Sequence, residues 1–487
     1  MDQDAPFTLD RVIYQFNGNE PFTIGNACEG VQIFGGIGSG KTSGSGEALA
    51  RSFLSAGFGG LVLCAKKDVL DDWKKYTRET GRDKTVLVFD GSGDFVFPFL
   101  QYEIERDGEG AGYTENLVRL FTTVYEAINR SKSGGGSDPY WERAMQQLLR
   151  NTIDLCMVAR GTVSVPLIQN VILSAPRSTA EIESDDWKAK SLCWQLLLEG
   201  NAKKQGGGLD IWVSHDFDTT ASFWLEEYPN LSEKTRSSIL STLTSMMDIF
   251  LRRPFRQLFS EPPADRRKIA YPELTHRGVV IVINLPVKEF GDAGRAAQVV
   301  YKYLWQQAVE RRKVEKGKTI PVFLWVDEAQ NFVTEYDMQF QATARSTMAC
   351  TVYLTQNLPN YYAEMGGEHS KYRVDSLVGN LQTKIWHANS DPMTNENAAE
   401  VIGKSWHTRQ NKGQSFGAGN FNLSEGVSES FDYDVSPQQF TKLRKGGDLN
   451  NGIVDAVIFQ NGRIWQDGKT HLFTHFKQYS DATQRGT

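Results

Sequence analysis

The sequence predicts an α/β fold in which a mostly parallel β-sheet lies between layers of helices and is interrupted by an all-α insertion. Short runs rich in β-branched residues recur at residues 31–34, 60–64, 86–89, 279–283, 322–326 and 351–354. These runs are apolar at successive positions, which is typical of parallel strands that are buried on both faces. Helical stretches between the runs supply the crossover connections that parallel strands need.

The insertion is predicted where the strand runs stop, between residues 100 and 268. Amphipathic stretches replace the apolar runs there, at residues 141–157, 186–199 and 233–251. The sheet domain is therefore expected in two parts. Residues 1–99 form the first part, which carries the glycine-rich loop described below, and residues 269–487 form the second.

Three elements are expected in the second part. A helix at about residues 293–313 should pack on the sheet before the next strand. Residues 403–437 are rich in Gly, Ser and Asn, which predicts a long surface loop or hairpin. Residues 453–459 and 462–465 predict a closing β-hairpin that returns to the sheet.

Composition excludes several classes of protein. With 487 residues, 40% hydrophobic and 23% charged, the chain is typical of globular proteins rather than disordered or fibrous ones. Its formal net charge of -6 provides no overall attraction to a polyanion, so nucleic acid would need a local cluster of basic residues. Its five widely spaced cysteines predict reduced thiols. The acidic N-terminus is unlike a signal peptide and no apolar run could span a bilayer, so we expect a cytoplasmic location and no transmembrane segment.

A glycine-rich loop follows the first buried strand and precedes an alanine-rich helix. It satisfies the pattern GxxxxGK[ST] at every position. In such a loop the backbone N–H groups point at nucleotide phosphates, Lys41 carries charge to the outer phosphates, and Thr42 offers a hydroxyl to Mg²⁺. A plain glycine-rich turn is the alternative, and the strand and helix on either side argue against it. The residues expected to hold ATP are Gly35, Gly36, Ile37, Gly38, Ser39, Gly40, Lys41, Thr42 and Ser43.

An acidic pair ends another predicted strand. Asp327 would bind Mg²⁺ together with Thr42, and Glu328 would polarise the water that attacks the γ-phosphate. An exposed acidic pair at a strand end is the alternative, and the upstream loop favours the catalytic interpretation. His471 and His475 have no carboxylate or cysteine that completes a site, so no metal besides Mg²⁺ is expected.

Two further side chains are candidates for a hydrolytic site. Gln356 follows the strand at 351–354 and would place a neutral amide near the γ-phosphate, where it would sense hydrolysis. An amide that caps a loop is nearly as good an interpretation. Arg345 precedes the same strand. It is either an ordinary surface arginine or one that crosses a subunit boundary to stabilise transition-state charge, as in ring-forming motors.

In this order and spacing, the motifs resemble the type IV coupling proteins of conjugation and secretion (TraG/TraD family) along nearly the whole chain. The phosphate loop is the most specific of them. The stretches that carry the resemblance are 34–43, Val88-Phe89-Asp90 with 97–100, Asp138-Pro139-Tyr140-Trp141-Glu142, 325–332, Thr355-Gln356-Asn357, and Gly379-Asn380 with Lys384-Ile385.

The resemblance implies a RecA-like motor domain, interrupted by an all-α domain, in a hexameric ring that hydrolyses ATP and pumps DNA through its centre. It assigns Lys41 and Thr42 to nucleotide and Mg²⁺, and Asp327 and Glu328 to hydrolysis. It also makes Gln356 a sensor and Arg345 the arginine that acts on the neighbouring subunit.

Two features depart from the family pattern. Members usually begin with transmembrane helices, whereas here the phosphate loop begins at Gly35. Either a partner recruits the protein to the inner face of the membrane or the protein works free in the cytoplasm. The acidic-Lys-Gly turn of the family is replaced by Cys64-Ala65-Lys66-Lys67-Asp68, which leaves the contact made by that turn undefined.

Contact with DNA requires basic residues on loops that face the bore of the ring. A second cluster of basic and aromatic residues lies in the insertion, where a solvated helix face is the simpler interpretation. The candidates in the bore are Lys66, Lys67, Lys371, Arg373 and Lys404. The cluster in the insertion consists of Arg252, Arg253 and Arg256 with Phe250 and Phe255.

Three functions are compatible with these motifs. The main hypothesis is an ATP-driven translocase of single- or double-stranded DNA, with a relaxase or a secretion-channel protein as partner. The second is a soluble pump of the HerA/FtsK kind in segregation, packaging or defence. The third is a nucleotide-gated scaffold that recruits a substrate, and it is the weakest because a scaffold has little need of hydrolytic residues.

Overall fold

The computed structural model describes residues 6–129, 139–260, 263, 265–367, 369–417 and 420–478. Asp138, in one of the stretches above, lies outside them. The strands are β1 (Val12–Phe16), β2 (Glu20–Thr23), β3 (Val31–Phe34), β4 (Gly59–Leu63), β5 (Val86–Asp90), β6 (Val280–Asn284), β7 (Val322–Asp327), β8 (Ala349–Thr355), β9 (Thr383–Trp386), β10 (Lys404–Gly417), β11 (Asn420–Tyr433), β12 (Ile453–Gln460) and β13 (His471–Lys477).

The α-helices are α1 (Ile24–Cys28), α2 (Glu47–Ser55), α3 (Asp68–Glu79), α4 (Phe99–Glu105), α5 (Thr114–Asn129), α6 (Pro139–Arg160), α7 (Val165–Leu173), α8 (Thr179–Glu183), α9 (Asp185–Lys190), α10 (Leu192–Gln205), α11 (Ile211–Ser222), α12 (Glu233–Leu251), α13 (Phe255–Phe259), α14 (Val287–Arg311), α15 (Glu335–Thr343), α16 (Leu358–Met365), α17 (Ser370–Asn380), α18 (Pro392–Ile402) and α19 (Pro437–Phe440).

The main sheet has the strand order β13-β12-β9-β3-β8-β7-β4-β6-β5. The strands from β9 to β5 run parallel, whereas β12, near one edge, is antiparallel to both of its neighbours, β9 and β13. Every residue of β7 and β8 is buried, so helices must cover both faces. The predicted α/β class with a mostly parallel sheet is confirmed, and each predicted strand except that at residues 462–465 overlaps an observed one.

Strand β9 was not predicted because its polar residues hide the apolar pattern. All four of its residues are buried, including Thr383 and Lys384. The ammonium of Lys384 donates to the carbonyl of Leu381 at 2.8 Å, which satisfies one of its donors. A buried lysine in a strand is therefore stabilised by a contact that the sequence pattern does not show.

The helices α4 to α13 lie between β5 and β6 in the chain, and most of them share one apolar cluster with α14 and one face of the sheet. The chain enters and leaves this segment side by side, since Val96 forms a parallel bridge with Ile269 and its amide donates to the carbonyl of Lys268 at 2.8 Å. Helix α5 packs on α14, and the apolar residues of the segment are continuous with those of the sheet. The domain boundaries at residues 99/100 and 268/269 remain predictions.

The opposite face of the sheet buries a second apolar cluster under α1 to α3 and the small β1–β2 sheet. Among the described helices, none is by itself long and apolar enough to cross a bilayer. One bent pair, Glu142–Arg160 with Val165–Leu173, meets the criteria of length and composition when its members are taken together.

Helix boundaries differ from prediction where local side chains stop or restart a helix. The stretch 186–199 contains two helices, α9 and α10, because Ser191 is extended and its hydroxyl caps α10 by accepting from the amide of Trp194. The predicted helix at 293–313 begins earlier, at Val287, and is broken at Gly291 with φ 56°. The stretch 233–251 coincides with α12.

The last part of the chain corrects one prediction. Strand β12 pairs with β13, and not with residues 462–465, which form part of the connection between them. Gly462 has φ 72°, which favours a turn. The ring of the buried Trp465 packs against that of Phe16, with 6.3 Å between the ring centroids. Residues 403–437 contain the hairpin of β10 and β11, which pairs Lys404 with Tyr433.

A buried polar network fixes the connection that follows β7. Lys302 on α14 donates to the carbonyl of Phe332 at 2.8 Å and forms an ion pair with Asp337 at the start of α15. Asp337 also accepts from Gln306 at 2.7 Å and from the hydroxyl of Tyr353 at 2.8 Å. Although burial opposes ionisation, Lys302 and these donors lower the pKa of Asp337. The segment after the acidic end of β7 is thereby anchored to α14 and β8.

Candidate active site

Three neighbouring parallel strands place the predicted site residues at one edge of the sheet. Strands β3, β8 and β7 are adjacent in that order, and Phe34 is in register with Thr355 and Asp327 with Leu354. Because parallel strands end at the same edge, the loop after β3, the residue after β8 and the acidic end of β7 converge there.

The loop after β3 has a backbone shaped to accept an anion. Gly38 and Gly40 have φ of 67° and 81°, and a side chain at Gly40 would meet Val454 at 2.6 Å. Within the described part of the chain, the amides of Gly38, Gly40 and Lys41 donate to no protein acceptor. The helix that follows starts with a π-turn, Thr42–Gly46. Several N–H groups are therefore available to a phosphate.

The predicted ligands of Mg²⁺ lie together. The hydroxyl of Thr42 donates to Oδ2 of Asp327 at 3.3 Å, although 285 positions separate them in the chain. A hydroxyl and a carboxylate are the oxygen ligands that Mg²⁺ prefers, so these residues fit the ion. Burial raises the pKa of Asp327, and the charge of Lys41 opposes this rise. The side chains needed to hold Mg²⁺ are thus assembled at the loop.

A cavity of about 330 Å³ opens beside the phosphate loop. The residues after Gly38 line one side of it, and Glu47, Asp72 and Tyr76 line the other. Burial, together with the charges of Glu47 and Asp327, raises the pKa of Asp72 to about 6. This cavity therefore combines free amides with several carboxylates, an arrangement suited to an anion accompanied by a cation.

Glu328 is held in an unusual backbone conformation and by several donors. Its φ and ψ are 53° and 51°, in the left-handed region, and its amide donates to Oδ1 of Asp327 at 2.9 Å. Lys66 forms an ion pair with Oε1 at 2.8 Å, and Gln330 donates to Oε2 at 2.9 Å. Burial alone would raise the pKa of Glu328, but Lys66 and Gln330 lower it to about 2. Glu328 is therefore an ionised carboxylate at neutral pH.

Gln356 lies beside Glu328 in the structure. Its Nε2 is 3.5 Å from both carboxylate oxygens of Glu328, at the outer limit of a hydrogen bond. Its backbone carbonyl accepts from Asn389 at 2.9 Å. The side-chain amide is thus close to the carboxylate, and the loop after β9 holds the backbone of Gln356.

Arg345 lies away from these residues in its own chain. It precedes β8, whereas Gln356 follows this strand, so the two lie at opposite edges of the sheet, separated by roughly 20 Å. The Arg345 side chain is 60% exposed and contacts Glu29 at 3.4 Å. Arg345 is therefore too far from the phosphate loop of its own chain to contact a nucleotide bound there.

Other residues that support the site come from distant segments, and sequence patterns did not identify their roles. Lys66, predicted only to contact DNA, contacts Glu328 because β4 lies next to β7. His387, after β9, bonds the hydroxyl of Ser45 at 2.7 Å below the loop. Gln478, after β13, donates to the hydroxyl of Ser43 at 2.7 Å. Only Lys66 carried a signal, namely its position after a buried parallel strand.

The remaining candidates for DNA contact are dispersed. Lys67 and Lys371 are exposed, whereas Arg373 pairs with Glu335 at 2.7 Å and Lys404 lies 4.2 Å from the ring of Tyr433.

The aromatic residues of the second cluster are not available to nucleic acid. Phe250 and Phe255 are buried in the core, so they cannot stack on bases. Arg252 pairs with Asp248 at 2.6 Å and is exposed. This region is therefore a solvated face over a packed core, as the simpler interpretation predicts.

His387 should make stability depend on pH. Burial lowers the pKa of His387 from 6.5 to about 4, although its bond to the carbonyl of Asp455 opposes this. The unfolded chain therefore binds more protons between those pH values, so stability falls as the pH falls through this window. We expect a loss of about 2 kcal/mol from this residue between about pH 7.5 and about pH 5.

Urea unfolding of wild type and of His387→Gln at both pH values would measure this contribution. The variant should be less stable at neutral pH, because it changes a buried hydrogen bond, but should lose less stability on acidification. Equal losses in the two proteins would contradict the assignment.

Comparisons with known proteins agree with the geometry. Residues 321–444 match the family model TraG-D_C, described as the TraM recognition site of TraD and TraG. No curated protein matches the chain in sequence.

Solved structures share the fold over nearly the whole chain. The bacterial conjugative coupling protein TrwBdeltaN70, unbound, matches with a TM-score of 0.62 at 13% identity, covering 98% of this chain and 90% of that one. The plasmid coupling protein TrwB in complex with ADP and Mg²⁺ matches with a TM-score of 0.60 at 13% identity, covering 97% and 90%. VirB4 of Thermoanaerobacter pseudethanolicus matches with a TM-score of 0.50 at 11% identity, covering 98% and 97%.

The predicted RecA-like fold is confirmed by the match to TrwB. The family match includes β7, the acidic pair, β8 and Gln356, which are the elements that complete the site around the phosphate loop. Over residues 321–444 the chain is thus similar to the TraM recognition site of TraD and TraG, and over nearly its whole length it shares the fold of the coupling protein TrwB.

Proposed function

We propose that the protein is an ATPase that uses hydrolysis to translocate DNA. The observation that supports this most directly is the contact of Thr42 with Asp327 at 3.3 Å, because it unites the phosphate loop with the acidic pair. A site that only bound nucleotide would not require Glu328 beside it. Glu328, which directly follows Asp327, would orient the water that attacks the γ-phosphate.

Each proposed role follows from position. The loop from Gly35 to Ser43 binds the phosphates of ATP, with Lys41 on the outer ones. Thr42 and Asp327 hold Mg²⁺, which would neutralise phosphate charge. That TrwB, which shares this fold, forms a complex with ADP and Mg²⁺ supports the choice of cofactors. Glu328 orients the attacking water.

The side chain of Gln356 is 3.5 Å from Glu328. In the proposed role it senses the γ-phosphate, and when hydrolysis removes this phosphate, Gln356 transmits the change to the loop after β8. Arg345 stabilises transition-state charge from the neighbouring subunit, since it lies at the opposite edge of its own sheet.

The proposed assembly is a hexameric ring with DNA in its bore. In a ring, subunits contact each other head to tail. Such contact can bring the ends of the strands that carry Arg345 in one subunit next to the phosphate loop of its neighbour, as the proposed role of Arg345 requires. We propose three parts in each subunit, comprising motor residues 1–99, helical residues 100–268 and motor residues 269–487. The described TraM recognition site supports a partner from the DNA-processing complex, such as a relaxase, or from the secretion channel. We propose that the ring works in the cytoplasm or at the inner face of the membrane.

Hydrolysis of ATP with and without DNA tests this function. Purified protein should hydrolyse ATP only with Mg²⁺, and single- or double-stranded DNA should raise the rate several-fold. Comparing the two kinds of DNA identifies the substrate. Hydrolysis that is indifferent to both would contradict a translocase. Nucleotide-dependent assembly without hydrolysis would instead favour the scaffold.

A further inference from the structure

An ion pair with Lys66 connects the protein surface to the carboxylate of Glu328. Lys66 lies in the turn between β4 and α3, and its ammonium is 2.8 Å from Oε1 of Glu328. The Lys66 side chain is 35% exposed, whereas that of Glu328 is 6% exposed. The ammonium is thus accessible to a large ligand that cannot reach the carboxylate itself.

The carboxylate of Glu328 is restrained by contacts at both of its oxygens. Lys66 occupies Oε1 and Gln330 occupies Oε2 at 2.9 Å. Gln330 is itself held by the hydroxyl of Thr355, which donates to its Oε1 at 2.8 Å. A carboxylate in an ion pair is a weak acceptor for the proton of a water, because the ammonium already satisfies its charge. This arrangement therefore suits a resting site better than a hydrolysing one.

The surroundings of Lys66 favour a polyanion as the ligand that removes it. Lys67 follows directly and is exposed, so the turn carries two ammonium groups, next to the exposed carboxylate of Asp68 at the start of α3. A phosphodiester backbone offers successive negative charges, which compete for Lys66 without entering the buried site. The turn follows β4, which pairs with β7. Movement of Lys66 away from the site would therefore break its ion pair with Glu328 at the end of β7.

We propose that Lys66 holds Glu328 in a resting position and that nucleic-acid phosphate, by binding Lys66, releases the carboxylate to orient the attacking water. Lys66 is a positioning residue in this mechanism, because it acts through Glu328. The proposal rests on the proposed DNA-dependent ATPase and adds the contact by which DNA would control it.

The first test is the rate of ATP hydrolysis by Lys66→Gln with and without DNA. Without DNA, kcat should rise about tenfold, the size associated with one charge-assisted hydrogen bond, and the ratio of rates with and without DNA should fall toward one. Lys66→Arg keeps the ion pair and should keep the dependence on DNA. Lys74→Gln removes an equal charge from the exposed side of α3 and should behave as wild type.

A second test does not depend on activity. If DNA and Glu328 compete for Lys66, then Glu328→Gln should tighten DNA binding without nucleotide, because the neutral amide holds the ammonium less strongly. This gain should disappear when Lys66→Gln is combined with Glu328→Gln. Fluorescence anisotropy of a labelled oligonucleotide measures all of these affinities, and thermal unfolding checks that each variant is folded.

The outcomes separate this proposal from the function on which it rests. Wild type that DNA does not stimulate would contradict the proposed function. Stimulated wild type with an unchanged DNA-free rate in Lys66→Gln would overturn the proposal alone. A fall in kcat both with and without DNA would also overturn it, since Lys66 would then act directly on the nucleotide.

Discussion

Glu328→Gln is expected to lower kcat for ATP hydrolysis by about 10²–10⁴-fold, the range lost with a general base, while ATP still binds. The substitution is nearly isosteric but removes the negative charge that would polarise the attacking water. The phosphate loop, Thr42 and Asp327 are untouched, so nucleotide affinity should remain within a few-fold of wild type. Single-turnover hydrolysis and binding of a fluorescent ATP analogue measure the two quantities separately.

Lys41→Ala is the control for Glu328→Gln, because it should weaken nucleotide binding itself. The contrast between lost binding and lost hydrolysis distinguishes an ATPase from a nucleotide-gated scaffold. Full hydrolysis by Glu328→Gln would show that another group orients the water, and the proposed role of the acidic pair would then be wrong.

Arg345→Ala is expected to lower kcat by about 10³-fold or more, as the loss of a trans-acting arginine does, without weakening nucleotide binding. The physical reason is its position before β8, at the edge opposite the phosphate loop. Its guanidinium is exposed and lies far from the phosphate loop of its own chain, so in the proposed ring it would act on the γ-phosphate of a neighbouring subunit. Steady-state kinetics should therefore show a change in kcat with little change in KM.

Mixing two inactive variants tests whether Arg345 acts between subunits. Arg345→Ala keeps an intact phosphate loop and Lys41→Ala keeps the arginine, so mixed rings should contain some complete sites. Equimolar mixtures should regain a measurable part of the activity. Arg277→Ala provides the matched control, because Arg277 is also exposed and precedes a parallel strand, β6. No recovery on mixing, or wild-type activity of Arg345→Ala, would contradict the assignment.

Local patterns were sufficient for the elements whose stability is local. Strand β7 is apolar at every position before Asp327, and helix α12 has a serine cap and a continuous amphipathic pattern, so both were predictable. The phosphate loop was predictable because its glycines meet a backbone requirement that few other residues can meet. Patterns failed at β9, where a buried lysine interrupts the run, and at residues 462–465, where a tertiary contact of Trp465 holds a turn.

The sequence by itself determined the chemistry available to this protein, since the loop around Lys41 and the acidic pair at Asp327 and Glu328 can be recognised without coordinates. Only the tertiary structure decided which side chains meet. The order β3-β8-β7-β4 brings the ends of separate segments to one edge, and it places Lys66 against Glu328 while leaving Arg345 at the opposite edge. Strand order is set by packing between residues far apart in the chain, so a local sequence pattern does not predict it.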